Sequence, residues 1–525
     1  MYISQLAFTT GEISPDVSRR FDLDQFKSAL LLAENAVIRP YGAVARRQGS
    51  EYIGQVKNKD KSTRLFEFTA EKNKSFLLEI GEQYIRVWRN GIELETPFES
   101  DVVDKLNCIQ SGDVMFICSG KYPVKTLSRY SDTDWRFDTY KLSEQPYGEV
   151  NVDKESTVIL NGDTLTATKD VFNADMVGSV MQIEHFVKAV STSKTGEVIQ
   201  RTEYVTRERH GGYSRLVGED YNNINYDVEQ FSSDEDLSWK FTSHGTWNGT
   251  VKIQISNDNG TTWKDYRIYT SNNDYNVTDT GKVTPSARLK VVSDLKGGSV
   301  NVDLSLLPHS NYGVIEIKEF VDSKHVKVNV LNSVVENEAT SKFRFGQWGK
   351  GLGYPRVCTF YQDRFILASS TQYPNYIWFS RTGDYSNFGV EKVGGTITDD
   401  SAITLPVINR KMYDIRHLIP ANDLLILTSG NEWIIDGSKT ITPTNCNLRT
   451  QTQRGASECE PQYIGNRCVY VQARGCVVRD LGYSYESDNY TGADLTLFVK
   501  HLTKYRNFIT SAYAQDPDSI VYYVT

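Results

Sequence analysis

The chain has 525 residues, of which 39% are hydrophobic, 12% aromatic and 24% charged, and its formal net charge is -8 at pH 7. This length predicts about two to four folding units. The 31 Tyr and 22 Phe favour strands, whose pleated surfaces accept aromatic side chains. The acidic balance argues against binding nucleic acid by phosphate neutralisation, which needs a basic face. It is compatible with a wall past which DNA slides, because like charges repel.

Several signals are missing from the sequence. The first ten residues lack the basic and apolar segments of a secretory leader, and no run of about 18 apolar residues predicts a membrane span. We therefore expect the protein to fold in the cytoplasm of whichever cell makes it. The cysteine count is odd, no C-x-x-C occurs, and no His lies at metal-ligand spacing from a Cys, which predicts reduced thiols, no metal site and no cofactor. The seven cysteines are Cys108, Cys118, Cys358, Cys446, Cys459, Cys468 and Cys476.

Residues 1–49 form the first predicted segment, a short helix followed by an arm. The sequence Asp22-Leu23-Asp24 predicts a helix start, and Pro40 predicts its end. Apolar residues then recur at helical spacing: Phe26, Ala29, Leu30 and Ala33. The arm, 38–49, is predicted to be extended, and its arginines form a basic spot. We expect this segment to contact a neighbouring acidic subunit through Phe26, Leu30, Arg39, Arg46 and Arg47. Contact of Arg46 and Arg47 with DNA is the less favoured alternative.

The rest of the chain predicts a mainly β fold. Residues 50–150 and 346–525 contain short apolar runs closed by Gly, Asn or Asp turns, including an Asn90-Gly91 hairpin signal. Strand pairs at this spacing predict a degenerate β-propeller-like core. Residues 151–345 are richer in Ser, Thr, Asn and Asp and predict inserted β-sandwich material, with a possible sub-boundary near 225. The final run SIVYYVT leads us to expect that the core continues beyond Thr525 or that this strand closes a ring.

The segment SNDNGTTW (256–263) matches an Asp-box. In this motif a carboxylate accepts backbone N–H bonds, a glycine takes a positive φ and a tryptophan packs beneath the turn. The candidate turn residues are Ser256, Asp258, Gly260, Thr262 and Trp263. Sialidases and other sugar-processing propellers carry similar motifs, usually in several copies, whereas one copy is found here. The favoured interpretation is a structural turn, and a glycan-processing protein remains the alternative.

No catalytic residue is predicted. Glycosidase chemistry needs two carboxylates flanking a bond, for which Glu432 with Asp436 and Asp399 with Asp400 are candidates. Acids occur throughout an acidic surface, so turn or edge positions are the favoured interpretation of both pairs. The Gly-rich stretch 349–355 lacks the Gly-Lys-Ser/Thr ending of a phosphate loop.

Four blocks of the chain together resemble the tail hub or nozzle proteins of short-tailed phages, a family also called tail tubular protein B-like. They are FTTGEISPDVSRRFDLDQFKSALLLAENAVIRPYGAVARRQGSEYIG (8–54), IQSGDVMFICSGKYPVKTLSR (109–129), GYPRVCTFYQDRFILASSTQYPNYIWFSRTGDYSNFG (353–389), and LLILTSGNEWII followed by 442–496. Their order and spacing are similar to the family throughout, while 151–345 matches it only loosely.

The resemblance implies a non-enzymatic subunit of the virion tail. Proteins of this family form a hexameric ring below the adaptor that joins the portal, carry the DNA channel and dock fibres or spikes. We therefore expect the chain to form a homo-oligomer and to bind tail fibres or spikes. The resemblance also implies a tail adaptor, which the contact residues of 1–49 would bind if they do not bind an adjacent subunit. Genomic DNA is expected to pass through the channel without specific binding. The alternative hypothesis is a carbohydrate-binding or glycan-cleaving β-propeller protein acting on the host surface. A plain adhesin domain carried by 151–345 is compatible with the first hypothesis.

Overall fold

The computed structural model describes residues 5–17, 19–72, 74–88, 91–187, 190–198, 212–215, 221–227, 237–258, 260–273, 275–283, 288–306, 309–332, 334–390, 397–474, 476–504, 508–514 and 520–525. Strands dominate these residues and helices are few and short, so the prediction of a mainly β fold is confirmed. The chain forms two compact units. Unit 1 consists of the described residues of Met1–Pro146, Gln347–Val390 and Ile397–Thr525, and unit 2 of those of Tyr147–Gly346.

Unit 1 contains five four-stranded antiparallel sheets in which the strand order follows the chain. Sheet A is Thr63–Glu71, Lys74–Gly81, Tyr84–Val87 and Ile92–Glu95; sheet B is Asn107–Ser111, Val114–Cys118, Lys125–Arg129 and Trp135–Thr139. Sheet C is Val357–Tyr361, Arg364–Ala368, Tyr376–Phe379 and Ile403–Pro406; sheet D is Ile415–Pro420, Leu424–Thr428, Glu432–Ile435 and Leu448–Thr452. Sheet E is Gln462–Ile464, Arg467–Val471, Val478–Ser484 and Asn489–Thr491. A hairpin pairs Thr510–Ala514 with Ile520–Val524.

Burial on both faces explains why some of these strands are continuous apolar runs. Every residue of Arg364–Ala368 in sheet C is buried. Successive side chains of a strand point to opposite faces of the sheet. Phe365 and Leu367 accordingly pack into a cluster shared with sheet B, and Ile366 and Ala368 into a cluster shared with sheet D. The second strand of sheet D is buried in the same way between sheets C and E. Consecutive sheets therefore pack face to face, as the small sheets of a propeller do.

The remaining elements of unit 1 are short. Near the amino terminus Gly11–Glu12 pairs in parallel with Ala29–Leu30, and Ala36–Ile38 pairs in antiparallel fashion with Val44–Arg46. The helices are 3-10 turns at Pro15–Val17 and Asp24–Ser28 and single α-helical turns at Ser100–Val103 and Lys500–Thr503.

The short N-terminal helix is present but ends earlier than its apolar spacing suggested. It spans Asp24–Ser28, so Phe26 lies in it while Ala29 and Leu30 lie in the following strand. Five residues form little more than one turn, and an isolated turn is marginal without tertiary support. Pairing with Gly11–Glu12 gives the next backbone groups their hydrogen-bond partners instead. The predicted extended arm forms the hairpin Ala36–Ile38 with Val44–Arg46.

Unit 2 contains two antiparallel sheets, each with its own apolar core. The six-stranded sheet has the order Val158–Asn161, Thr164–Ala167, His325–Asn332, His309–Asp322, Val180–Val187 and Phe343–Phe345, with a 3-10 turn at Ala174–Met176. The eight-stranded sheet has the order Gly212–Arg215, Tyr221–Asp227, Val190–Val198, Arg288–Leu306, Leu237–His244 and Val277–Val283, and Trp247–Ser256 pairs with Arg288–Leu306 and Lys264–Ser271. Residue 225 lies inside a strand of this sheet, and 228–236 lie outside the described residues.

Candidate functional site

In unit 1 the first strands of the five sheets all begin near one another. In an antiparallel meander the first strand starts at the same end of the sheet at which the second strand finishes. We call this end the leading edge of each sheet. Residues at or just before the first strands of all five sheets line one cavity of about 30 Å³. We define the hub cluster as eight of the polar residues that line or adjoin this cavity: Arg64, Asn107, Arg356, Asp414, Arg416, His417, Glu458 and Glu460.

One ion pair of the hub cluster connects the first sheet to the fifth. Arg64 in the first strand of sheet A places its Nη2 atom 3.0 Å from Oε2 of Glu460, which precedes sheet E. The same guanidinium donates to the carbonyl oxygen of Leu106, just before sheet B. The side chain of Arg64 is 18% exposed and that of Glu460 is 44% exposed, so water screens this pair in part.

Further hub contacts connect sheets C, D and E. Glu458 accepts from Arg356 and lies 3.3 Å from Nε of Arg416 through its Oε1 atom. Asp414 Oδ2 lies 3.2 Å from Arg416 Nε and 3.7 Å from Arg356 Nη1. Arg416 also donates from Nη1 to the carbonyl oxygen of Ala456, at 2.8 Å. Planar guanidinium groups suit this role because each presents several donors in a fixed geometry.

His417 is the buried titratable base of the hub cluster. Its Nε2 atom donates to the carbonyl oxygen of Ser457 at 2.8 Å. Burial lowers the pKa of His417 to about 4; the hydrogen bond to Ser457 opposes this effect, whereas the guanidinium groups of Arg356, Arg416 and Arg64 reinforce it. The imidazole is therefore neutral at pH 7. The hub cluster connects sheets A, C, D and E through ion pairs and reaches sheet B through hydrogen bonds.

The N-terminal segment, which we define as the described residues of 5–54, is attached to the rest of unit 1 at a few polar contacts. The backbone N–H of Ser14 donates to the carbonyl oxygen of Phe498 at 2.7 Å. Glu12 lies 2.7 Å from Nε2 of His501 through one oxygen, while its other oxygen accepts from the backbone N–H of Ala33 within the segment. Gly42 has a φ of +93°, and a Cβ there would lie 2.6 Å from that of Ala7, so only glycine fits.

This segment exposes many large apolar side chains. Leu31 is 74% exposed and Tyr41 is 79% exposed. The others are Leu6, Phe21, Leu32, Val44, Tyr52 and Ile53. Single exposed apolar residues are common on protein surfaces, but this density within one short segment is typical of a contact surface.

The contact residues predicted from the sequence lie in the same segment. Phe26 and Leu30 are half-buried, and the ring of Phe26 packs edge-on against Phe21. Arg46 and Arg47 are exposed, and Arg39 is half-buried. The apolar spacing predicted a longer helix, so Phe21, Leu31, Leu32 and Tyr41 were not among the predicted contact residues.

The Asp-box residues form a tight turn in unit 2. Oδ1 of Asp258 accepts from the backbone N–H of Thr262 at 2.8 Å and from the hydroxyl of Ser256 at 2.7 Å. The hydrogen bonds from Thr262, side chain and backbone, and from Ser256 lower the pKa of Asp258 to about 2. Gly260 has a φ of +88°, and the indole N–H of Trp263 donates to its carbonyl oxygen at 3.0 Å. All of these bonds are local to the turn.

The two candidate carboxylate pairs occupy structural positions. Glu432 is fully buried and accepts from the hydroxyls of Thr452 and Tyr470 and from the backbone N–H of Arg454. Asp436 accepts from the backbone N–H of Ser438 at 2.9 Å. The Asp399 carbonyl oxygen accepts from the buried Arg364, and the Asp400 carboxylate accepts from Thr398.

Two further features of the described residues bear on function. The seven cysteines are free thiols, and burial raises the pKa of Cys108, Cys358 and Cys468 well above the usual range. The described residues hold no group of three or more His, Cys, Asp and Glu side chains that could bind a metal ion. They also hold no helix with the length and hydropathy needed to cross a bilayer.

Unit 1 is thus a set of small packed sheets that is joined at a charged hub and carries an exposed apolar segment. The sequence model of the bacteriophage nozzle protein family matches residues 356–511, a span that contains sheets C, D and E. This match confirms the predicted resemblance to phage tail nozzle proteins and supports a structural role in the virion tail. Among curated proteins there is no match to the chain.

Proposed function

We propose that this chain is a ring-forming subunit of a phage tail nozzle. Several copies, six by the resemblance, join around an axis and enclose the channel through which genomic DNA is ejected. An adaptor protein lies above the ring, and fibres or spikes dock on its outer surface. Assembly takes place in the host cytoplasm. The subunit acts as a wall and performs no chemistry.

The exposed apolar surface of the N-terminal segment is the observation that carries this proposal. Leu31, Leu32, Tyr41, Tyr52 and Ile53 would lose unfavourable contact with water if a second copy covered them. An obligate contact between subunits buries on the order of 2,000 Å² or more. The exposed Arg46 and Arg47 belong to the same segment and would pair with the acidic surface of a neighbour.

The packing inside unit 1 supports a structural role. Each pair of consecutive sheets shares an apolar cluster, and the hub cluster joins the first sheet to the last. Packing of small sheets against one another leaves only short strand edges. The net charge of -8 per copy would multiply in an oligomer and keep phosphates from adhering to the wall.

The oligomeric state of the full chain tests the proposal. We expect light scattering coupled to size exclusion to give a multimer, and electron micrographs to show a ring with a bore wide enough for duplex DNA. The double variant Leu31→Asp with Leu32→Asp should yield monomers with unchanged circular dichroism, because two buried charges would oppose the contact. The matched control is Ile408→Asp with Met412→Asp, which changes two exposed apolar residues of unit 1 outside the segment and should leave the ring intact.

Different outcomes contradict different parts of the proposal. A wild-type chain that stays monomeric at micromolar concentration, alone and in tail particles, overturns the ring. A ring that survives both substitutions keeps the nozzle role but removes the N-terminal segment as its contact. Turnover of a host glycan by the purified chain would favour the alternative, a glycan-cleaving protein.

A further inference from the structure

A second and larger cavity lies at the leading edges of sheets B and C. Its volume is about 410 Å³, within the range of small-molecule sites. Its lining comes from the segments that precede the first strands of sheets B, C and D and from the turns between the second and third strands of sheets B and C. These segments contribute Lys105, Lys350 and Arg356, and the turns contribute Ser119–Lys121 and Ser369–Thr371.

The charge of this cavity is opposite to that of the chain. Four basic side chains line it, against the two carboxylates of Asp101 and Asp414. Arg356 is paired in the hub cluster, and Lys121 is paired with Glu99. Within the described part of the chain the ammonium groups of Lys105 and Lys350 have no acceptor, so both are available to a ligand.

Neutral donors line the same cavity. The hydroxyl of Ser370 accepts from the backbone N–H of Tyr373 at 3.2 Å, which leaves its own hydrogen free to donate. The backbone N–H groups of Lys121 and Thr371 donate to no acceptor among the described residues. Gly353 holds this lining close together, because its φ is +80° and a Cβ there would lie 2.4 Å from Oγ1 of Thr371.

We infer that this cavity binds a small phosphate-bearing ligand. Ammonium, hydroxyl and amide donors from four loops suit an oxyanion with several acceptor atoms, and exposed backbone N–H groups in turns are frequent partners of phosphate. The volume admits a diphosphate or a phosphorylated small molecule, whereas duplex DNA does not fit. The phosphate group is either that of a free solute or the terminal phosphate of a nucleic acid strand. The inference does not depend on ring formation.

Calorimetric titration of the full chain at low salt, with inorganic pyrophosphate as the probe, tests this inference. The double variant Lys105→Ala with Lys350→Ala should weaken binding by about tenfold or more, because each charged donor contributes to an exposed oxyanion contact. The matched control is Lys141→Ala with Lys411→Ala, which removes two exposed lysines outside the cavity and should leave the affinity unchanged. Ser370→Ala, which changes no charge, should weaken binding by a smaller factor.

Two further titrations identify the source of the phosphate. If a 5′-phosphorylated single-stranded oligonucleotide binds more tightly than its unphosphorylated form, the ligand is the end of a nucleic acid strand. If the two bind equally, the ligand is a free phosphate-bearing solute. The inference is overturned if pyrophosphate shows no saturable binding up to about 1 mM, or if the cavity and control variants bind alike. It is also overturned if a Glu-rich peptide binds more tightly than every phosphate probe, since the ligand would then be a carboxylate.

Discussion

The hub cluster of unit 1 and the Asp-box turn of unit 2 both stabilise β structure with polar groups. They differ in the separation along the chain of the residues that they join. In the turn, Asp258 and its donors lie within seven residues of one another. In the hub, Arg64 and Glu460 are 396 positions apart. The turn is exposed, whereas the hub contains the buried His417 and largely covered arginines.

This difference determines what each constellation can do. A local turn fixes the conformation of one hairpin, and loss of its hydrogen bonds leaves the distant strands paired. A constellation that joins sheets far apart in sequence instead determines whether those sheets remain associated. Because a paired charge that loses its partner away from water is costly, the hub should respond to substitution more strongly than the turn does.

Arg416→Ala should have the largest effect. The substitution leaves Glu458 and Asp414 with one guanidinium instead of two and removes the donor to the Ala456 carbonyl oxygen. We expect the free energy of opening of Ile415–Pro420, measured by native-state hydrogen exchange, to fall by about 2–3 kcal/mol. Arg410→Ala, at an exposed position just before the same strand, is the control and should change it by less than about 0.5 kcal/mol. Equal effects of the two variants would show that the hub does not hold the sheets together.

The class of fold was open to prediction from the sequence because strand signals are local. Apolar runs bounded by turn residues mark strands wherever they occur, and runs such as FILA and LLIL reflect burial on both faces. The length of the N-terminal helix was not predictable in this way. Spacing at Phe26, Ala29 and Leu30 suits a helix, yet pairing with Gly11–Glu12 takes the last two into a strand.

The same distinction between local and long-range signals applies to the Asp-box turn and the hub cluster. The Asp-box pattern names its own donors and acceptors, so the geometry of Asp258 and Thr262 follows from the sequence once the turn forms. The hub residues carry no such local signal: Arg64, Arg356 and Arg416 stand at strand starts like many other arginines on a folded chain. Only the meander topology, which brings the leading edges together, makes a constellation of them. A strand-by-strand register would have been needed to predict it.

The second prediction concerns the buried His417 and the pH dependence of the free energy of unfolding. Burial lowers the pKa of His417 to about 4, below the 6.5 of the unfolded chain. Between these values the unfolded state binds a proton that the folded state does not, so stability falls as the pH falls from 6.5 toward 4. Lowering the pH from 7 to 5 should cost about 2 kcal/mol more in the wild type than in His417→Gln.

The groups around His417 fix the interpretation of this difference. Arg64, Arg356 and Arg416 stay protonated over the whole range, so the contrast reports the imidazole. Denaturant unfolding at the two pH values measures it, and His244→Gln, at an exposed position, should show the wild-type dependence. A wild-type slope in His417→Gln would mean that the imidazole is hydrated in solution.

The ion pair between Arg64 and Glu460 should make a smaller contribution. Water screens it because the side chain of Glu460 is 44% exposed. A double-mutant cycle of Arg64→Ala and Glu460→Ala should give a coupling energy of about 0.5 kcal/mol, and 1 M salt should reduce it. A coupling energy of zero at low salt would show that this ion pair does not help to hold the first sheet to the fifth.

Substitution in the Asp-box turn should have the smallest effect, and faster amide exchange should be confined to the turn. Asp258→Ala removes the acceptor of the Thr262 N–H, so the amide of Thr262 should exchange faster while strands Trp247–Ser256 and Arg288–Leu306 keep their protection. The pKa of Asp258 is lowered to about 2, so the stabilisation is complete above the ordinary value of 3.8 and is lost as the pH falls through about 2. Asp265→Ala is the matched control, because among the described residues that exposed carboxylate accepts only from the side chains of Gln254 and Lys252. If Asp258→Ala also deprotected the long strands, the contrast between a local turn and a long-range hub would be wrong, since the turn would then help to hold its whole sheet.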